Sequence, residues 1–109
     1  MNENRLEAKF DQEMRDTYSK AAREIHCHAT AFLHMINEHG GVQTAKLLLQ
    51  SNEISDGFTK LWQEDKMEIS AEALVLKTEY APLFSAEERA KARKRLADVH
   101  YIAPWDSGK

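Results

Sequence analysis

The chain has 109 residues, 42% of them hydrophobic and 30% charged, with a formal net charge of -3. That length holds one ordinary domain with one modest core, and the mix is that of a folded globular protein, not a disordered one. A lone cysteine excludes an internal disulfide and a cysteine-built zinc site. The few glycines (4) and prolines (2) argue against an all-β fold, and the net negative charge argues against global attraction to nucleic acid or anionic membrane.

No apolar run approaches the ~18 residues of a membrane span. Residues 1–5 are not followed by the apolar core of a signal peptide, which predicts a cytoplasmic protein. Leu6, Phe10, Met14, Tyr18, Ala21 and Ile25 then recur every three to four residues, the stripe of a long α-helix. Residues 1–5 are read as a flexible lead. Ala29, Phe32, Leu33, Met35 and Ile36 continue the helical period, and the weak helix formers at 26–30 place a break between the two stretches.

Gly40 and Gly41 read as a helix stop, since glycine takes a left-handed cap without a Cβ penalty. The apolar stretch 42–49 predicts a short helix and the most buried element. Residues 51–53 read as a turn. Ser55 and Asp56 offer an N-cap for a helix over 57–63 that carries Phe58, Leu61 and Trp62. Ser70 caps another helix over 71–76, with Glu72 in its dipole-favoured first turn. Residues 80–84 form a loop or 3₁₀ turn. Ser85 and Glu88 match a capping box for a last helix reaching about Val99, and an apolar tail at 101–105 precedes residues expected to fray.

The fold class is therefore all-α: a compact domain of about five to six helices spanning 6–105, with a frayed tail at 106–109. Phe32, Ile36, Leu48, Leu49, Phe58, Leu61, Trp62, Leu74, Leu76, Phe84 and Leu96 are the expected core.

An ordered set of anchors runs through the chain: Phe32-Leu33-x-Met35, then His39-Gly40-Gly41-Val42-x-x-Ala45-Lys46-x-Leu48-Leu49, then Ser55-x-Gly57-Phe58-x-x-Leu61-Trp62. It continues as Ile69-Ser70-x-Glu72-x-Leu74-Val75-Leu76, Leu83-Phe84 and Arg95-Leu96. Over roughly residues 10–100 this resembles a widespread family of small, uncharacterised all-α bacterial proteins. The resemblance implies the fold and supplies no catalytic residue. The chain departs from that pattern at His26-Cys27-His28, where a small residue followed by an aromatic is expected.

Four constellations invite chemistry. His26, Cys27 and His28 are zinc- or copper-ligand types, but residues i and i+2 on a helix point about 200° apart and cannot share an ion there. Arg23 and His28 match the Arg-x4–6-His signature of the HEPN ribonucleases, where the histidine does acid/base work and the arginine stabilises phosphate charge. Ala45, a turn and Phe58-x-x-Leu61-Trp62 suggest a helix-turn-helix, with the turn too long and an acidic end, Glu64-Asp65, that repels phosphate.

The fourth is charge asymmetry. Residues 56–88 carry eight acids against three lysines, whereas 89–97 carry five basic groups and no acid. On the last helix Ala92, Leu96 and Val99 face inward. Lys91, Lys94 and Arg95 face outward as a candidate nucleic-acid contact, partly neutralised by Glu87 and Asp98.

The expected function is that of a non-enzymatic helical protein-interaction module, of bacterial, phage or mobile-element type. Tyr80, Phe84, Tyr101 and Trp105 are candidate partner contacts, because Tyr and Trp suit interfaces. The rival use of the same four residues is as a lid on the core. No cofactor, metal site or membrane contact is expected, and a second copy is a candidate partner. The alternatives are nucleic-acid association through the last helix and a HEPN-like ribonuclease using Arg23 and His28.

Overall fold

The computed structural model describes residues 2–51 and 56–106. Six α-helices follow one another: α1 (Asn2–Ile25), α2 (Thr30–His39), α3 (Gly41–Gln50), α4 (Asp56–Gln63), α5 (Ala71–Val75) and α6 (Ala86–Asp98). Two 3₁₀ turns, Met67–Ile69 and Thr78–Leu83, flank α5, and no strand occurs among the described residues. The all-α class is as expected. α1 begins at Asn2, ahead of the expected start at Leu6, so residues 2–5 of the expected flexible lead are helical. Its 24 residues at about 1.5 Å each account for the longest dimension of the molecule, 37 Å.

The stripe on α1 is the spine of the core. Phe10, Met14, Ala21 and Ile25 are buried, while Leu6 and Tyr18 are half-buried at its margin. Phe10 meets Tyr80 and Phe84 edge to face, at 4.9 and 5.1 Å between ring centres, the geometry that the ring quadrupoles favour. The 78–83 turn is thereby pinned against α1, and α6 starts from it. Ser85 and Glu88 form the expected capping box.

Gly40 has φ +85° and its N–H closes α2 onto Ile36 O at 2.8 Å, the left-handed stop read from the sequence. Gly41 does different work: it is the first residue of α3. A Cβ there would stand 2.6 Å from the Asp11 Cα, so α1 and α3 cross where only glycine fits. At the same point Asp11 Oδ1 accepts the Gly41 N–H at 2.7 Å, capping α3 from another helix. Three further helices stop on non-glycine left-handed residues, α1 at His26, α4 at Asp65 and α6 at His100. Asp65 (φ 60°) and His100 (φ 61°) each let the next N–H reach back, Lys66 to Leu61 O at 2.8 Å and Tyr101 to Leu96 O at 2.9 Å.

Several expectations need correction. The most buried element is α5, not α3: every residue of Ala71–Val75 is buried, because α5 sits between α1, α3 and α6. α3 buries only Gly41, Thr44, Ala45 and Leu49. Trp62 is 52% exposed, since α4 turns Phe58 and Leu61 inward and the next residue lies about 100° round the helix. Phe32 and Leu48 are half-buried. Asp106, placed at the start of the frayed tail, is buried and held by Arg93 through two bonds of 2.8 and 3.2 Å. The Ser55 cap, the rest of the 51–53 turn after Ser51, and residues 107–109 lie outside the described residues.

The α1–α3 crossing generates a prediction. Gly41→Ala should lower stability by about 1–3 kcal/mol, because the added methyl meets backbone that cannot yield. Gln43→Ala, on the exposed side of α3, should stay within about 0.5 kcal/mol of wild type. Urea unfolding of both variants checks this, and equal midpoints would contradict the close crossing.

Candidate functional site

The basic run of α6 is not a basic face. Its arginines turn inward along the helix and its lysines turn out. Arg89 reaches Leu76 O at 3.4 Å, and Arg93 holds Asp106. Arg95, expected on the outer side, is only 13% exposed. Its Nη1 donates to Leu48 O at 2.8 Å and to Glu72 Oε2 at 3.3 Å; its Nη2 donates to Ser51 O and, at 3.5 Å, to Leu49 O.

A planar fork with several donors can serve a helix end and a carboxylate at once, which a lysine cannot do. Arg95 therefore closes the C-terminus of α3 and ties it to α5. Lys91 and Lys94 are exposed; Lys94 pairs with Asp98 at 3.5 Å, and the expected Glu87–Lys91 pair is not among the ion pairs present.

Burial pushes the Glu72 carboxyl above the ordinary glutamate range, against the pull of its own backbone N–H and of Arg95. Its first-turn position was readable, but its burial was not.

A second polar cluster joins α1 to the 78–83 turn and the tail. Tyr80 Oη donates to Glu13 Oε2, and Lys77 Nζ meets Glu13 Oε1 at 3.0 Å. Lys77 also lies 5.0 Å from the centre of the Trp105 ring, whose Nε1–H donates to Ala73 O at 2.7 Å. Burial alone would raise the Glu13 carboxyl; the hydrogen bonds from Tyr80 and Lys77 outweigh it and hold it below the ordinary range. Burial, and then Glu13, push the Tyr80 hydroxyl up, so it stays a donor. Lys9 and Glu79 pair beside this cluster.

The four aromatic candidates thus divide. Tyr80 and Phe84 are core residues and present no partner surface, because Phe10 packs on both rings. Tyr101 and Trp105 are half-buried, and Trp105 is fixed by the bond to Ala73.

An open groove of about 770 Å³ lies between α2 and α4. Ala21, Phe32, Met35, Leu48, Phe58 and Leu61 make it largely apolar, and Glu72 is the one carboxylate among the described lining residues. Its volume falls in the range of about 300–1,000 Å³ typical of ligand sites. It forms because α4 packs chiefly on the 67–69 turn, leaving the flank of α2 uncovered. Phe32 and Leu48, read from the sequence as core, are half-exposed for this reason. Nothing in their spacing distinguishes a groove wall from a core wall.

His26, Cys27 and His28 stand at one end of the groove. They are not helical, which corrects the premise that the i, i+2 spacing falls on a helix. His26 is left-handed (φ 56°), and the Cys27 N–H reaches back to Ala21 O at 3.0 Å. Both imidazoles are exposed, and no group of three or more His, Cys, Asp or Glu able to hold a metal occurs among the described residues. Arg23 is exposed in the last turn of α1, and no hydrogen bond or ion pair joins it to His28. No helix among the described residues is long and apolar enough to cross a membrane. Comparison with protein-family models, with curated proteins and with solved structures finds no match.

Two outcomes follow from the polar clusters. Arg95→Ala leaves Glu72 buried without its partner and should cost about 3–5 kcal/mol. The pair Lys91→Ala and Lys94→Ala should cost under about 0.5 kcal/mol. Thermal and urea melts separate the two, and a stable Arg95→Ala protein would refute the tie to α3.

The Glu13 cluster has a pH signature. A carboxyl lowered in the folded state stabilises fully above the unfolded glutamate range, near pH 4.3, and that stabilisation is lost as pH falls through the folded value. Glu13→Gln should therefore be less stable than wild type at pH 7, with the gap narrowing by pH ~3.5. A gap independent of pH would show that Glu13 acts through packing alone.

Proposed function

We propose that the chain is a non-enzymatic helical interaction module that receives an apolar helix of a partner protein in the groove between α2 and α4. The observation that carries this reading is that Phe32 and Met35, one turn apart on α2, and Leu48 on α3 are half-exposed and share one open trough with Phe58 and Leu61. Helix-in-groove recognition uses such a trough, with anchors on the incoming helix at i, i+3 or i+4 and i+7.

The rest of the molecule supports the assignment by what its polar groups are already doing. Ser70 and Ser85 cap helices, and the arginines of α6 bind carbonyls and carboxylates of the fold. The outward charge of α6 reduces to Lys91 and Lys94, too little for a duplex-binding surface, where affinity scales with the number of phosphates contacted.

Met35→Arg places a charge in the trough at a half-exposed position and should leave the fold intact. Crosslinking in lysate of the native host, with wild type, Met35→Arg and Lys91→Ala as baits, tests the reading. Wild type and Lys91→Ala should capture the same protein, and Met35→Arg should lose it. Identical capture by all three baits would remove the groove from the interaction. A DNA or RNA complex at ~150 mM salt, weakened by Lys91→Ala with Lys94→Ala, would favour nucleic-acid association instead.

A further inference from the structure

The groove wall contains an anomaly for an apolar surface: a carboxylate that is 6% exposed. A carboxylate has about four acceptor sites, and a buried one is costly unless those sites are used. Besides its own backbone N–H, Glu72 has one side-chain donor, Arg95, and that contact is long at 3.3 Å. Arg95 spends its shorter bonds elsewhere, on the carbonyls of Leu48 and Ser51. Its charge is thus shared with the negative end of α3.

No other side chain among the described residues donates to it. The Ser70 hydroxyl is used, donating to Met67 O at 2.8 Å and accepting from Ala73 N at 3.1 Å. Lys60, the one lysine on the lining, pairs with Glu64 at 3.4 Å near the surface.

We infer that the partner helix carries one basic residue among its apolar anchors, whose stem crosses the apolar lining and whose cation ends at Glu72. The inference rests on the reading of the groove as a helix-docking surface and specifies the chemistry of what docks there. A lysine or arginine has the right form: an apolar stem that matches Phe32, Met35 and Leu48, and a charged head with donors for the acceptor sites that Arg95 and the Glu72 backbone N–H leave over. An acidic anchor is repelled at the same position, and an uncharged one leaves the carboxylate undersatisfied. Glu72 then selects among partner helices, while the apolar wall holds any of them.

The test uses stapled amphipathic peptides of about 14 residues, alike except at one central anchor on the apolar face. That anchor is Lys, Gln, Glu or the shortened 2,4-diaminobutyrate, and binding to the full chain is read by fluorescence polarisation. The Lys peptide should bind about tenfold or more tighter than the Glu peptide, with the Gln peptide between them. The diaminobutyrate peptide keeps the charge but lacks the reach, so it should rank with Gln; this arm needs no protein variant.

Glu72→Gln should remove the preference, whereas Glu87→Gln, the same charge change on an exposed part of α6, should keep it. Circular dichroism melts of both variants establish that they are folded. Equal binding of the Lys and Glu peptides, a diaminobutyrate peptide as tight as the Lys one, or a preference that survives in Glu72→Gln would overturn the inference and leave the groove reading standing. If no peptide binds, or if Met35→Arg binds all four as wild type does, the groove reading itself fails and this inference with it.

Discussion

One guanidinium holds three helices together. Arg95 projects inward from α6, ends α3 by binding its last carbonyls, and takes Glu72 of α5 as its counter-ion. A helix C-terminus leaves several carbonyls without intrahelical partners, and burying them beside a carboxylate concentrates negative charge. Arg95 answers both demands from one side chain. Lysine in its place would offer the charge without the fork, so the geometry of α3 against α5 depends on this residue being arginine.

The groove inherits its shape from that tie. Leu48, whose carbonyl Arg95 binds, and Glu72, whose carboxylate it contacts, both line the trough. The opposite bank comes from α4, which is eight residues long and leans on the 67–69 turn instead of on α2. A longer or differently seated α4 would have covered Phe32 and Met35. As built, the fold leaves an apolar trough beside a rigid wall, and the proposed interaction role draws on that contrast.

A second clamp works at the other side of α5. Glu13 gathers Tyr80 and Lys77, Lys77 lies over Trp105, and Asp106 binds Arg93. The tail beyond α6 is thus part of the structure through Asp106, because buried Ala103 and the Trp105–Ala73 bond bring the Asp106 carboxylate within reach of α6. Composition offered no sign of this: an acid two residues past a proline, near the chain end, reads as solvent-exposed.

What the sequence determined by itself was local. The period of Phe10, Met14, Ala21 and Ile25, the stop at Gly40, the Ser70 cap and the Ser85–Glu88 box depend on contacts within a few residues, and each stands where it was read. Tertiary structure decided which side of a boundary residue meets protein. Arg95 and Lys94 are neighbours of the same charge, yet one is nearly buried and the other exposed, because α3 ends beside the first. Gly41 looked like a second stop and is a crossing point, since its missing Cβ matters only against Asp11, thirty residues away. Trp62 and Phe32 have core-like spacing but stand at an edge, because periodicity fixes a direction on a helix and not what lies opposite it.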